Sequence, residues 1–328
     1  LGSWGGRHPA PLLSMISTVT LNPAVDKTVY VNKLVPHDTN RVLKVEVDAG
    51  GKGINCARML ARLGAEALAV ALLGGTTGEF VAGVLAAEGV TLERVQTAKP
   101  TRTCIAIEDA TDRPPTTFNE RGGPVEHSEL VALLEKTKEI ARRSSYVLFG
   151  GSVPLGINDD IYNVLVQIAA ARGARAVLDA DGGPLAEGLK ARPFMVKPNL
   201  DEAERLLGST FRSKADVGRA ALKIAEMGIE LVVISLGKQG AVAHYEGLIY
   251  DAVPPDIEEI STIGSGDSMI AGILCALERG LGIEEALRLG SAAGAATAMS
   301  SGADIGEKSD VDRLVSQVKI RKIEPARQ

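Results

Sequence analysis

The chain reads as an α/β protein built on a mostly parallel sheet covered by helices on both faces, with a second, smaller sheet at one edge. Short β-branched and apolar runs alternate with amphipathic helical stretches along most of its length. Several of those runs, among them Tyr146-Val147-Leu148-Phe149 and Val232-Val233-Ile234, are apolar without interruption, as strands buried on both faces must be. Segments within 27–47 and 101–120 instead alternate apolar and polar residues, which suits strands with one face in solvent.

Residues 1–14, LGSWGGRHPAPLLS, are rich in Gly and Pro, lack periodicity and lack the long apolar stretch of a secretory signal. A clean pattern begins at Met15, so 1–14 are expected to be either a leader outside the domain or a disordered arm. Ile16–Leu21 is a short β-branched strand, and Lys27–Asn32 and Arg41–Val47 are half-exposed strands. Ile54–Leu63 places Cys56, Met59, Leu60 and Leu63 on one helical face and is stopped by Gly64. A strand at Leu68–Leu73, a helix at Thr77–Glu88 and a strand at Leu92–Thr97 follow. Cys104–Ile107 and Thr116–Asn119 read as a hairpin across the turn-rich ATDRPP. Helices are expected at Glu126–Arg142, Asp159–Ala171, Asp201–Leu207 and Ala215–Met227, and strands at Tyr146–Phe149, Ala176–Asp179, Phe194–Val196 and Leu231–Ser235. A hairpin near His244–Tyr250 precedes helices at Ser268–Glu278, Glu284–Ser300 and Val311–Val318. The domain is expected to span 15–320, with a polar tail at 321–328.

Composition narrows the function. Asp and Glu outnumber Lys and Arg, 41 to 36, and net charge is −5, which disfavours a general nucleic-acid binder; aromatics at 3% disfavour stacking on single strands. No apolar run approaches the length of a membrane-crossing helix. Cys56, Cys104 and Cys275 are widely separated and form no CxxC, so neither a zinc site nor a disulfide framework is indicated, and a cytoplasmic location fits.

Ligands of open parallel sheets bind at the carboxyl ends of strands, and Gly-rich junctions gather there. Gly50-Gly51-Lys52-Gly53-Ile54-Asn55 opens a helix with a lysine among glycines, a combination of close backbone approach, free N–H groups and positive charge that suits a sugar phosphate. A tight turn with a surface lysine is the competing explanation. Gly264-Ser265-Gly266-Asp267 precedes the apolar stretch MIAGILCAL; its N–H groups suit an anion, and an aspartate among them suits the general base for an attacking hydroxyl. The competing role for Asp267 is a helix cap. In Lys197-Pro198-Asn199-Leu200-Asp201-Glu202, Asn199 and Glu202 offer oxygens to Mg²⁺, although the same spacing is that of a capping box, which this motif alone favours. Asp26 in Asn22-Pro23-Ala24-Val25-Asp26 suits sugar hydroxyls or a plain turn. Gly150-Gly151-Ser152 and Ser235-Leu236-Gly237-Lys238-Gln239-Gly240 are further strand-end loops. No GxxxxGK[ST], strand-following GxGxxG, HRD, DFG, GxSxG or HExxH occurs, which removes P-loop, protein-kinase, serine-hydrolase and zincin readings and weakens a Rossmann dinucleotide one.

In their order along the chain, LNPAVD, AGGKGIN, TRTCIAI, GGSVPLG, KPNLDE, SLGKQG and GSGDSMIAG resemble the PfkB (ribokinase-like) family of sugar kinases over about 15–320, and most of all its branch of 1-phosphofructokinases and tagatose-6-phosphate kinases. The resemblance implies a three-layer α/β/α ribokinase-like fold in which the half-exposed strands form a lid that in relatives often pairs with a second subunit's lid, hence a homodimer. It implies ATP and Mg²⁺, with a monovalent cation possible at no located site, and a sugar phosphate as acceptor. By the same resemblance Asp267 is the catalytic base; Gly264, Ser265 and Gly266 form the anion hole; and Lys197, Asn199, Ser235, Gly237 and Gly240 meet the nucleotide. Glu202 acts on the metal through water. Asp26, Gly50, Gly51, Lys52, Asn55, Arg102 and Ser152 form the sugar-phosphate site, with Lys52, Arg102 and Ser152 on the existing phosphate. Thr117–Gly122 resembles a segment of the 1-phosphofructokinases, which implies transfer to the C6 hydroxyl of fructose 1-phosphate. Phosphorylation of tagatose 6-phosphate at C1, and a non-catalytic phosphosugar-binding regulator, stay open as alternatives.

Overall fold

The structure, a computed structural model, describes residues 15–111 and 115–323. The expected leader, residues 324–328 and the centre of the 104–119 turn lie outside the described residues. A ten-stranded sheet forms the body. β1 (Met15–Thr20) lies between β4 (Glu66–Leu73) and β8 (Ser144–Gly150) and is parallel to both. β5 (Thr91–Gln96) extends the β4 side, while β9 (Arg175–Asp179), β10 (Met195–Val196) and β11 (Leu231–Ser235) extend the β8 side, all in parallel. An antiparallel meander of β12 (Ala241–Tyr245), β13 (Leu248–Val253) and β14 (Lys319–Ile323) completes the sheet.

Strand alternation divides the core into two layers. Ile16, Leu148, Val177, Met195, Leu231 and Val233 face α1 (Lys52–Arg62), α8 (Ser265–Glu278), α9 (Ile283–Ala298) and α10 (Lys308–Val315). Val19, Val147, Phe149, Leu178, Val232 and Ile234 face α3 (His127–Ala141), α4 (Ile161–Ala170) and α7 (Lys214–Ala225). Each fully buried side chain of this kind is worth about 1.5–3 kcal/mol relative to exposure. The sandwich is the three-layer arrangement expected. α2 (Gly75–Ala87) packs a third cluster beneath the second sheet. That sheet, in the order β3 (Val42–Gly50), β2 (Ala24–Val31), β6 (Arg102–Glu108), β7 (Thr116–Asn119), has the exposed face that its alternation indicates.

Two elements depart from expectation. α5 (Gly182–Leu189) forms from GGPLAEGL, a stretch whose local preferences favour a turn; burial of Leu185, Gly188 and Leu189 overrides them, and the Asp181 carboxylate accepts a bond from the Gly182 N–H. The chain also stays ordered beyond 320. Lys319-Ile320-Arg321-Lys322-Ile323 pairs with β13, so the expected tail begins as an edge strand whose lysines and arginine protect it.

α8, which carries the Gly264–Asp267 loop, meets α9 at backbone distance: a Cβ on Gly272 would lie 2.7 Å from the Gly290 Cα. Gly272→Ala is expected to lower stability by about 1–3 kcal/mol in urea unfolding, because overpacking against backbone outweighs the roughly 1 kcal/mol helix preference gained.

Candidate active site

A cavity of about 610 Å³ opens at the carboxyl ends of β9, β10 and β11. Strand geometry delivers its residues. Asp179 ends β9, Lys197 follows β10, and Ser235 ends β11. An isolated bridge joins Asn199 to Ser235, which brings α6 (Leu200–Leu207) to the rim. Across from them lies the first turn of α8.

That turn is arranged for an anion. Gly264 is the N-cap, the Ser265 N–H reaches the Thr262 carbonyl at 3.3 Å and the Ser268 N–H the Gly264 carbonyl at 2.9 Å. The N–H groups of Gly266 and Asp267 are left for a ligand. The Ser265 hydroxyl is buried without a hydrogen-bond partner. Asp267 is not the cap. It sits at the third helical position, buried, and accepts a 2.8 Å bond from the Asn55 side chain. Burial, and then the negative charge of Asp179, push its carboxyl up to about 7, against the pull of Lys52, Asn55 and Lys197. A base near neutrality is what proton abstraction from a hydroxyl requires.

Asp179 joins the two lysines. Lys52 Nζ is 2.9 Å from Asp179 Oδ1 and Lys197 Nζ is 3.6 Å from Oδ2, while Glu202 Oε1 stands 4.0 Å from Lys52 Nζ. Burial works against the Asp179 charge, yet Lys197 and Lys52 hold its carboxyl below the usual range. Burial likewise opposes the Lys52 charge, and Asp179, Asp267 and Glu202 more than offset it, so its pKa rises. Asn199 and Glu202 do form the capping box: each side chain accepts from the other's backbone N–H at 2.8 Å.

The expected nucleotide and transfer residues Lys197, Asn199, Glu202, Ser235, Gly237, Gly240, Gly264, Ser265, Gly266 and Asp267 all line this one cavity, as does Lys52. Asp26, Gly50, Gly51, Asn55, Arg102 and Ser152 do not; they lie toward the second sheet. Gly50 faces Asp26 so closely that a Cβ would fall 1.9 Å from Asp26 Oδ2. Burial pushes the Asp26 carboxyl up to about 6, against the pull of Arg102. Arg102 gives its guanidinium to the carbonyls of Asn22 and Glu120, and the Asn22 amide donates to Ser152 Oγ at 3.0 Å. Lys52 and Asn55, on the first turn of α1, connect the two regions. Asp179 and Asn22 had not been singled out. Asn22 lies in the marked Asn22–Asp26 motif, which was the available signal; Asp179 closes a strand with no such motif around it. The irregular segment 254–262, whose Pro254, Asp256, Glu259 and Thr262 line the cavity, carries no periodicity to reveal it.

Among the described residues no helix is long and apolar enough to cross a membrane. The family model of the pfkB family carbohydrate kinases matches residues 19–310. A 1-phosphofructokinase of Borreliella burgdorferi is 32% identical over 310 residues, covering 94% of this chain and 99% of the relative. One of Rhodobacter capsulatus is 38% identical over 295 residues, covering 89% and 90%. Among solved structures, phosphofructokinase-2 of Escherichia coli, in complex with substrates and products, superposes with a TM-score of 0.87 at 30% identity, over 92% of this chain and 98% of that one.

Because the folded Asp267 carboxyl titrates above an ordinary carboxylate, the fold gains from its protonated form at low pH and loses that gain as pH rises through about 7. Asp267→Asn, a fixed neutral mimic, is expected to raise the thermal midpoint relative to the parent at pH 8, with the difference shrinking toward pH 5. A lower midpoint at pH 8 would contradict the burial argument.

Proposed function

This chain belongs to the pfkB family of carbohydrate kinases, and from that premise we propose that it moves the γ-phosphoryl group of ATP to the C6 hydroxyl of fructose 1-phosphate, giving fructose 1,6-bisphosphate and ADP. The observation that carries the mechanism is Asp267, buried and oriented by Asn55 beside the unpaired N–H groups of α8. ATP occupies the 610 Å³ cavity with its adenosine toward 235–240 and 254–262 and its γ-phosphate at Gly264–Gly266. The sugar phosphate lies between Asp267 and the second sheet, its hydroxyls on Asp26 and Asn55 and its phosphate toward Lys52, Arg102 and Ser152.

Asp267 takes the proton of the C6 hydroxyl as that oxygen bonds to the γ-phosphorus; the bond to the bridging oxygen breaks and ADP leaves with the electron pair. The N–H groups of Gly266 and Asp267 and the ammonium of Lys52 meet the charge that develops on the transferring group. The donor set suits Mg²⁺ brought in on the phosphates. Asp179 Oδ2 is buried without a hydrogen bond, and Glu202 keeps Oε1 after its other oxygen is spent on the cap. Among the described residues no group of three His, Cys, Asp or Glu is placed to hold a metal, so phosphate and water complete the shell. When bound, Mg²⁺ neutralises phosphate charge and aligns the leaving group.

The second sheet acts as the lid, and we propose that two copies pair through it. Its edge strand β3 exposes Val42, Leu43, Val45 and Val47 at 52%, 63%, 44% and 44%, and β7 exposes Phe118 at 57%. An apolar edge of this length is an aggregation hazard unless covered, and a second copy covers it in register.

An ADP-release assay with ATP and Mg²⁺ against fructose 1-phosphate, fructose 6-phosphate and tagatose 6-phosphate is expected to show the highest kcat/KM for the first. Preference for tagatose 6-phosphate would keep the mechanism and move the reacting hydroxyl; no turnover by folded protein would leave a phosphosugar-binding regulator. Asp267→Ala is expected to lower turnover by a factor of roughly 10² or more while sugar-phosphate binding survives. Leu43→Asp with Val45→Asp is expected to convert a dimer to a monomer in sedimentation; a parent chain that already sediments as a monomer would overturn the pairing.

A further inference from the structure

The loop placed above at the nucleotide, Ser235–Gly240, is short, and its two glycines give it little intrinsic shape. Its own bonds close a single turn. The Gln239 N–H reaches the Leu236 carbonyl at 3.1 Å, the Gly240 N–H the Gly237 carbonyl at 2.9 Å, and the Leu236 N–H the Gly240 carbonyl at 2.7 Å. Two contacts hold that turn against its surroundings. Toward β13, Gly240 has φ +90, and a Cβ there would collide with the Ala252 carbonyl oxygen and lie 2.6 Å from Pro254 Cδ. At the cavity mouth, Lys238 Nζ is 3.6 Å from Glu259 Oε1, but that lysine is 76% exposed and water screens the pair.

A third restraint comes from outside the cavity. Lys214, the first residue of α7, donates from Nζ to the Gln239 carbonyl at 2.9 Å and to Asp251 Oδ1 on β13 at 2.6 Å. Lys214, Gln239 and Asp251 do not line the cavity. A lysine in the first turn faces the positive end of the helix dipole, so its charge weakens α7 rather than supporting it. The helix does not depend on it. The Ser213 hydroxyl accepts from the Asp216 N–H at 3.2 Å, and Val217, Ala221 and Ile224 pack in one core with Val242 and Ile249. Nor is neutralising Asp251 a sufficient reason for Lys214. Asp251 is 6% exposed, and Arg321 stands opposite it in the β13–β14 register, so a second cation is at hand. Among the described residues, Lys214 alone donates to the Gln239 carbonyl. Holding that carbonyl fixes the peptide plane between Gln239 and Gly240, and Gly240 does line the cavity.

We propose that Lys214 is a positioning residue for the nucleotide: from outside the cavity it sets the Gln239–Gly240 peptide and so holds the Ser235–Gly240 loop in its binding shape before the nucleotide arrives. The inference rests on the kinase reading above and adds to it a residue that touches neither substrate. A loop with glycines at 237 and 240 has many alternative shapes, and affinity falls in proportion to the fraction of molecules that hold the competent one. The effect belongs to the nucleotide alone. Asp26, Asn55, Arg102 and Ser152 lie toward the second sheet, and among the described residues no hydrogen bond joins them to this loop.

The test combines steady-state kinetics on ATP, Mg²⁺ and fructose 1-phosphate with calorimetric titration of the full chain by a non-hydrolysable ATP analogue. Lys214→Met is made together with Asp251→Asn, so that no buried charge is stranded. This pair is expected to raise the KM for ATP and the Kd of the analogue about tenfold, while kcat and the KM for fructose 1-phosphate stay within about twofold of the parent. Lys214→Arg, which keeps a cation with N–H donors, is expected to bring both nucleotide constants to within about threefold of the parent. Asp251→Asn alone keeps the bond from Lys214 to Gln239 and is expected to leave them within the same about threefold range. If the double variant does not fold, Lys214→Met alone, with Arg321 left to face Asp251, is read in the same way. Equal changes in both KM values, a loss confined to kcat, or an unchanged analogue Kd would overturn the proposal. The analogue Kd decides the question whichever sugar phosphate the parent accepts. A parent that neither binds the analogue nor turns over would instead overturn the kinase reading.

Discussion

The site is organised by one buried carboxylate at the floor of the cavity. Asp179 ends β9 under the sheet edge, and its charge survives only because Lys52 and Lys197 reach it from two different elements. Removing one partner of a buried pair costs about 3–5 kcal/mol, since the remaining charge is stranded, so each lysine is held where the carboxylate is. Lys52 brings with it the start of α1, and with that Asn55. Lys197 fixes the entry to α6 and lies under the anion loop, 3.0 Å from where a Gly266 Cβ would stand. Helices from both ends of the sequence are thereby referenced to one point.

The same point sets the chemistry. Asp267 and Asp179 are like charges in one low-dielectric pocket, and the lysines are shared between them unequally. Asp179 has both within 4 Å and stays charged; Asp267 has burial and its neighbour's charge against it, and its carboxyl rises toward neutrality. In the proposed mechanism two aspartates of one type thus take different tasks, one a fixed counter-ion and the other a base. An incoming triphosphate adds negative charge to this pocket, and the lysines and helix N–H groups are what make room for it.

Much of this was legible in the chain. Uninterrupted apolar strands and the motifs at their ends located the cavity, because a parallel sheet gathers its strand-end loops on one side whatever the loops contain. Alternation in 27–47 and 101–120 located the lid, since a half-exposed strand must alternate. Legibility failed where tertiary packing or long-range charge decides the outcome. Asp179 looks in sequence like any aspartate after a strand; its role comes from lysines 127 residues before it and 18 after it. GGPLAEGL becomes a helix only because Leu185 and Leu189 find a core to enter. Segment 254–262 lines the cavity by its path alone, without periodic pattern or turn signature.

Asn199 and Glu202 show why a structural and a functional reading of one motif need not compete. As a capping box, the pair satisfies two backbone N–H groups at the start of α6, which fixes the Glu202 side chain by a bond at one oxygen. A carboxylate has two oxygens, and the cap uses Oε2. Oε1 is left free of the cap and faces Lys52 Nζ at 4.0 Å. A free glutamate at this place would lose about 1.5–2 kcal/mol of side-chain entropy on being ordered by a cation or its water shell. The cap has already spent that entropy during folding, so the ordering does not weigh against the ligand. In the proposed mechanism, the local signal that argued for a cap is therefore also the means by which a flexible side chain becomes a preorganised oxygen donor.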